Sequence, residues 1–182
     1  MCRNQTRCHI SRSGEVAIDV TYSTIRLKRP SDARTALFVP PSPPRTRGVA
    51  AIPIENNQWE FILQGVHGDE TPTDREAFIE FADSFPVDEA GQLPRDHEWV
   101  SEEIHHYPFP LSIRRHYDEL DAFPDGLVVT GDAIASFNPV YGQGMSVGAL
   151  DALMLHHTET GFDNFALEFF RGPPTSSKKC GK

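Results

Sequence analysis

Cysteine is almost missing from this sequence: the three present, Cys2, Cys8 and Cys180, all sit near the ends. An odd count at the termini makes no disulfide framework, so the chain reads as a protein of the reducing cytoplasm. The spacing of Cys2, Cys8 and His9 matches no standard zinc module. Long apolar runs are missing too. No stretch approaches ~18 consecutive apolar residues, which excludes a membrane span, and Arg3, Arg7 and Arg12 are followed by no apolar core of a signal peptide. Basic charge is short, with 17 Lys and Arg against 26 Asp and Glu, a formal charge of −9. Such a chain is repelled by nucleic acid, and no basic cluster offsets the repulsion. Glycine is scarce at the start, where Gly14 alone precedes Gly48. A strand, Gly-rich turn and helix of the kind that cradles phosphates therefore finds no place in the first hundred residues.

What remains is an ordinary globular composition, 38% hydrophobic and 24% charged, enough for one cored domain. From Val16, "VAIDVTYSTIRLKR" alternates as a strand, with Ile18, Val20 and Tyr22 on one face. "TALFV" (Thr35–Val39) is a second strand, stopped by the prolines of "PPSPP". "GVAAIPIENNQWEFILQGV" predicts a hairpin turning at Glu55-Asn56-Asn57-Gln58, since Asn tolerates the positive φ of a tight turn. Thr73 and Glu76 fit a capping box, and Phe78, Phe81, Ala82 and Phe85 then share one helical face that ends by Pro86. Residues 86–98 read as a polar connector. "HHYPFPLSIRRHYDEL" begins extended and passes into a short helix around Arg114–Leu120, after which "FPDG" turns and "LVVT" (Leu127–Thr130) is a buried strand. Met145 to His156 is a helix with Val147, Leu150 and Met154 at a spacing of three to four, and Thr160–Phe170 is a second amphipathic helix. No internal repeat is present.

Chemistry concentrates in "GDAIASFNPVYGQGMS" (Gly131–Ser146). Asp132 follows the Leu127–Thr130 run, and side chains at the carboxyl end of such a strand face the ligand crevice of α/β architecture. A carboxylate there accepts two hydroxyl hydrogen bonds, as a ribose or ribityl chain offers. Pro139 fixes one φ, while Gly142 and Gly144 lack a Cβ and let a flat ligand approach the backbone. The helix that follows presents free N–H groups and a positive dipole end. A flat, hydroxylated, electron-accepting ligand uses all of these features, and a flavin is one. The plain alternative is a crossover in which Asp132 caps a turn and the glycines relieve crowding.

The stretch "FPDGLVVTGDAIASFNPVYGQGMSVGALDALML" (Phe123–Leu155) resembles the second flavin-binding motif of FAD-dependent monooxygenases of the para-hydroxybenzoate hydroxylase type, in which a G-D pair is followed by P-x-x-G-x-G-M and a helix. The match falls on Gly131, Asp132, Pro139, Gly142, Gly144 and Met145. "IDVTYST", "WEFILQGVHGDETPTDREAFIEFA" and "PLSIRRHYDEL" are similar to the middle of a bacterial and archaeal branch of hydroxylases or epoxidases, so the resemblance runs from about Val16 to Leu155. It implies an α+β fold, the antiparallel sheet of a substrate domain joined to the strand–loop–helix of an incomplete FAD/NAD(P)-binding Rossmann part. It further implies that Asp132 holds the ribityl chain, that Pro139 packs beside the reactive edge of the isoalloxazine, and that Gly142, Gln143, Gly144 and Met145 lie along its pyrimidine side. NAD(P)H would be the reductant and a small apolar, aromatic or olefinic molecule the substrate.

The departure from that family is the missing G-x-G-x-x-G unit, which makes the chain look like the carboxyl two-thirds of a flavoprotein. On this reading residues 1–15 are a disordered lead-in, 16–110 a substrate-type β-sheet domain with one helix, 111–170 a partial FAD-binding segment and 171–182 a disordered tail. Two other functions are compatible with the residues: a truncated, non-catalytic fragment that binds no flavin, and a small domain that holds an apolar ligand. As an isolated chain the protein is expected to lack turnover. Arg114 and Arg115 are either contacts to an acidic substrate or cofactor, or a solvated helix start paired with Asp118 or Glu119. Tyr117 and Trp59 are core or pocket-wall aromatics. His105-His106 and His156-His157 make no chelate, because neighbours diverge on strand and helix alike. Ser136 lies in no G-x-S-x-G context. No metal is expected.

Overall fold

The computed structural model describes residues 13–157 and 165–172. Cys2, Cys8, His9, Cys180 and most of the two terminal segments lie outside the described residues. The fold is mixed α+β. Five strands, β1 (Ser13–Lys28), β2 (Leu37–Val39), β3 (Arg47–Ile54), β4 (Gln58–Val66) and β5 (His105–Arg115), form one sheet in the order β2-β3-β4-β1-β5. The pairs β1 with β4, β3 with β4 and β2 with β3 are antiparallel. Four helices, α1 (Arg75–Asp83), α2 (Asp88–Asp96), α3 (Gln143–His157) and α4 (Phe165–Arg171), complete it among the described residues. By packing the chain divides into two units, Ala17–Leu111 and the described residues on either side of it.

In the first unit the sheet carries the core. Cross-strand partners Ser23 and Leu63, Ile25 and Phe61, and Leu27 and Trp59 are buried on one face, where such pairs give a sheet its stability. Val49 and Ala51 continue that face onto β3, opposite Leu63 and Phe61. The buried face of β1 is thus Thr21, Ser23, Ile25 and Leu27, with Tyr22 only half-buried. This corrects the expected Ile18, Val20 and Tyr22 face. Asp19 adopts a positive φ of 43°, and after this kink the adjacent Val20 and Thr21 are both buried. The strand also starts earlier than Val16, at Ser13.

The hairpin turns where the sequence indicated. Asn56 and Asn57 take φ values of 58° and 53°, and Ile54 pairs with Gln58 across the turn. Helix α1 lays Phe78, Phe81 and Ala82 onto the sheet, with Phe78 against Phe61 and Trp99 at ring-centroid distances of 5.8 and 5.3 Å. Its N-cap is Asp74, whose Oδ1 accepts the Ala77 N–H at 2.9 Å, so the cap falls one residue after the expected Thr73. The expected connector over 86–98 holds helix α2 instead. Its sequence is polar, yet Ala90, Gly91, Leu93 and Pro94 are buried, and Ala90 and Leu93 join the α1 cluster. Acidic Asp88 and Glu89 in the first turn and Arg95 in the last suit the helix dipole. At the end of β4 the chain doubles back: a Cβ on Gly65 would stand 1.6 Å from the Asp69 carbonyl oxygen, so only glycine fits there.

In the second unit Tyr117, Leu120 and Leu167 form a smaller cluster with Phe123, Val129, Ile134 and Phe170. Tyr117 stacks on Phe170 at 5.1 Å. Helix α4 accounts for the described part of the expected Thr160–Phe170 helix, with Leu167 and Phe169 buried.

Candidate functional site

The candidate residues all belong to the second unit, and they are brought together by two turns and the start of α3. After Thr130 the chain enters a 3-10 turn, Gly131–Ala133. Gly131 has φ 58°, the left-handed region that glycine enters at little cost. The Gly131 carbonyl accepts the N–H groups of Ile134 and Ala135 at 2.8 and 3.0 Å. Residues 134–136 then run beside the end of β5. The Arg115 N–H donates to Ile134 C=O at 2.8 Å, the Ser136 N–H to Ile113 C=O at 2.9 Å, and the Ile113 N–H to Ser136 Oγ at 2.9 Å.

Asn138 opens a second 3-10 turn, Pro139–Tyr141, by accepting the Val140 N–H on its side chain at 3.1 Å. Pro139 supplies the fixed φ of the first position and Gly142 closes the turn in the left-handed conformation, φ 62° and ψ 13°. Helix α3 begins at once with Gln143, Gly144 and Met145. Asp132 is exposed, and its carboxylate makes no hydrogen bond or ion pair to the described residues. Its Oδ1 would lie 3.6 Å from a Cβ built on Gly144. The carboxylate therefore stands beside the amino end of α3 with a gap that a methyl group would enter. Met145 and Tyr141 are 82% and 70% exposed, open to any flat group laid over this loop.

Arg114, Arg115 and Tyr117 line a small cavity of about 170 Å³ together with Asp118, Ile134 and Asp151. Arg114 and Arg115 end strand β5 rather than starting a helix, and the expected helix shrinks to one 3-10 turn, Tyr117–Glu119. The strand persists because its backbone is paired through Arg114 and Ala135. Arg115 reaches the turn, with Nη1 donating to the carbonyls of Asp132 and Ala133 at 3.2 and 3.4 Å. The Asp118 and Glu119 carboxylates stand 3.7 Å from His116 Nδ1 instead of pairing with the arginines. Tyr117 is buried, as a core or wall aromatic is.

Leu127–Thr130 is not a buried strand. It has no ladder partner among the described residues, and Leu127 is 52% exposed. An apolar run becomes a strand only when neighbouring strands satisfy its backbone and cover its faces, and among the described residues none pairs with it. Leu150, expected on the packed side of α3, is exposed, and no residue of α3 is buried.

Two residues escaped the sequence reading. Asp151, two turns into α3, accepts the Gly131 N–H on Oδ2 at 2.8 Å. Asn138 caps the Pro139 turn; the only signal was an Asn directly before a proline. Elsewhere, in the first unit, buried Ser23 Oγ donates to Pro72 C=O at 2.7 Å and lies 2.9 Å from Thr71 Oγ1 and 3.2 Å from His106 Nδ1. That cluster is satisfied internally. Among the described residues no group of three or more His, Cys, Asp or Glu side chains is placed to hold a metal ion, and no helix is long and apolar enough to cross a membrane.

No family model matches the chain. Protein Rv3254 of Mycobacterium tuberculosis (strain ATCC 25618 / H37Rv) is 30% identical over 140 residues, which make up 75% of this chain and 29% of that protein. The chain thus spans under a third of the length of this curated relative. Among solved structures, a flavoprotein/dehydrogenase from Cytophaga hutchinsonii is similar with a TM-score of 0.56 and 16% identity, covering 88% of this chain and 37% of that one. The tetracycline destructase Tet(51) aligns at a TM-score of 0.48 and 12% identity over 87% of this chain and 43% of that one. The chain shares its fold with part of the Cytophaga flavoprotein.

Proposed function

We propose that the chain is the flavin-facing part of a FAD-dependent oxidoreductase of the monooxygenase class, acting on an apolar aromatic or olefinic substrate with NAD(P)H as reductant. The observation that carries the reading is the exposed carboxylate of Asp132, unpaired among the described residues and beside Gly144 at the amino end of α3. The residues fit a flavin. The Asp132 carboxylate lies within van der Waals reach of a Cβ built on Gly144, so in this reading it presents its oxygens at the amino end of α3. In the Gly142–Met145 segment Gln143 and Met145 are exposed and Gly142 and Gly144 are half-buried, and the two glycines carry no side chain to hold a ring away from the backbone. Fold likeness to a flavoprotein supports the same reading.

In this reading Asp132 accepts two hydroxyl hydrogen bonds of the ribityl chain. Pro139, held in its turn by Asn138, packs beside the ring. Gly142, Gln143, Gly144 and Met145 line the ring edge, where the α3 dipole favours negative charge by about 0.3–1 kcal/mol. Arg114 and Tyr117, on the small cavity beside the turn, are the candidates for an acidic or aromatic group. FAD, when bound, supplies the electron transfer and oxygen chemistry, and the protein orients and shields it. The Ala17–Leu111 unit, in the same proposal, is the substrate-side sheet.

These 182 residues contain no Gly-rich phosphate cradle, so free FAD is expected to bind weakly and turnover with NAD(P)H to be undetectable. Flavin fluorescence quenching with wild type and Asp132→Ala tests the assignment. Removing the carboxylate costs about 1.5–3 kcal/mol of hydrogen bonding to a charged group, roughly a tenfold to hundredfold loss of affinity. Equal affinity of the two proteins refutes the role of Asp132, and no quenching by the wild type refutes flavin binding.

A further inference from the structure

We propose that Asp151 is a positioning residue for Asp132: it fixes the Gly131–Ala133 turn to helix α3 so that the Asp132 carboxylate faces the amino end of that helix. The proposal deepens the flavin reading above and rests on it.

The turn is held from two sides by opposite charges. Asp151 Oδ2, on α3, accepts the Gly131 N–H at 2.8 Å. Arg115 Nη1, at the end of β5, donates to the carbonyls of Asp132 and Ala133 at 3.2 and 3.4 Å. The carboxylate thus sits at the N–H end of the turn and the guanidinium at its C=O end, the arrangement that complements the peptide dipoles. Gly131 has a left-handed φ of 58°, and nothing lies within 4 Å of where its Cβ would be. Among the described residues no side chain crowds that side of Gly131, while its N–H and C=O are both engaged in hydrogen bonds. A charge-assisted bond such as Asp151 to Gly131 is about twice as strong as a neutral one.

The same helix carries both ends of the relationship. Gly144, beside which Asp132 Oδ1 lies, and Asp151 are separated by about two helical turns, roughly 10 Å along one rigid axis. Through Asp151 the backbone of residue 131 is registered to the helix, and residue 132 follows by one peptide. Among the described residues the Asp132 side chain has no hydrogen-bond partner of its own, and the turn that carries it is anchored through Asp151 and Arg115. Removing Asp151 leaves the Gly131 N–H without its acceptor and frees the turn to pivot on the Arg115 side.

The test uses the full chain with FAD as the titrant and three variants, Asp151→Ala, Asp151→Asn and Asp132→Ala. Asn keeps an acceptor oxygen for the Gly131 N–H, and Ala does not. Asp151→Ala is expected to weaken FAD binding about tenfold, the scale of one hydrogen bond to a charged group. Asp151→Asn, which keeps a neutral acceptor, recovers about half of that loss in free energy, a weakening of about threefold. Combined with Asp132→Ala, Asp151→Ala is expected to add little further loss, because it acts through the same carboxylate. Amide exchange by NMR on the flavin-free protein supplies the independent readout. The Gly131 amide should exchange faster in Asp151→Ala than in wild type, with protection restored in Asp151→Asn. Unchanged FAD affinity in Asp151→Ala, full additivity with Asp132→Ala, or an unchanged Gly131 exchange rate each overturns the proposal. A wild type that leaves flavin fluorescence untouched sinks the flavin reading instead. The Gly131 exchange rate then still decides whether Asp151 holds the turn.

Discussion

Arg47 grips Asp69 through both carboxylate oxygens, Nε to Oδ2 at 2.8 Å and Nη2 to Oδ1 at 3.1 Å, while Thr46 Oγ1 donates to Oδ2 at 2.7 Å. The same guanidinium lies 4.2 Å over the ring of Phe81, which ties helix α1 to the loop after β4. The hydrogen bond from Arg47 holds the Asp69 carboxyl below its usual value; partial burial opposes it, and Thr46 and the Arg47 charge assist it.

A depressed folded-state pKa makes a contribution that is complete above the ordinary Asp value of about 3.9 and is lost as pH falls through the lower, folded value. Wild type is therefore expected to hold its Asp69 contribution from neutral pH to about pH 5 and to lose it below about pH 4. Asp69→Asn should be less stable at pH 7 by about 1 kcal/mol and show a shallower acid decline. Urea unfolding at several pH values between 7 and 3 reads both, and parallel acid limbs for the two proteins would count against the assignment.

Gly65 is the position where the chain has least room. Its missing Cβ would meet the Asp69 carbonyl oxygen at 1.6 Å and the carbonyl carbon at 2.8 Å, both backbone atoms that cannot rotate away. Gly65→Ala is expected to cost at least the 1–3 kcal/mol typical of overpacking and to loosen the Arg47 to Asp69 grip. Thermal melting checks it; a Tm within a degree of wild type contradicts the contact.

Phe78 is fully buried between Phe61 and Trp99. Phe78→Ala removes the ring and leaves a cavity, expected to cost about 3–5 kcal/mol. Denaturant unfolding measures the loss, and a change below 1 kcal/mol would mean that α1 does not pack on the sheet as described.

Gly142 closes the Pro139–Tyr141 turn at φ 62°, its N–H donating to Pro139 C=O at 3.1 Å. An L side chain in this region costs about 1–2 kcal/mol, less for Asn. Gly142→Ala should lower stability by about that amount and Gly142→Asn by less, both read from equilibrium unfolding. Equal effects of Ala and Asn would indicate that contact, not backbone conformation, limits the site.

Features written over a few adjacent residues were legible in the sequence. The Asn56-Asn57 turn, the Phe78, Phe81 and Ala82 face and the proline-led turn before Gly142 each follow from φ preferences and helical spacing inside one short segment. Helix α3 forms where expected but without the buried face that its spacing indicates. What depended on distant partners was not. Residues 88–96 are polar by composition, and only packing of Ala90 and Leu93 against α1 makes them a helix. Leu127–Thr130 is apolar enough for a buried strand, but a strand needs a ladder beside it, and among the described residues none is there. Arg114 and Arg115 continue β5 because residues 134–136 pair with it, some twenty positions on. The G-D and P-x-x-G-x-G-M letters named the residues of the candidate site. That Asp132 faces Gly144, and that Asp151 and Arg115 hold its turn by hydrogen bonds spanning 17 to 20 positions, was decided by tertiary structure, because hydrogen-bond partners far apart in sequence leave no periodic trace in it.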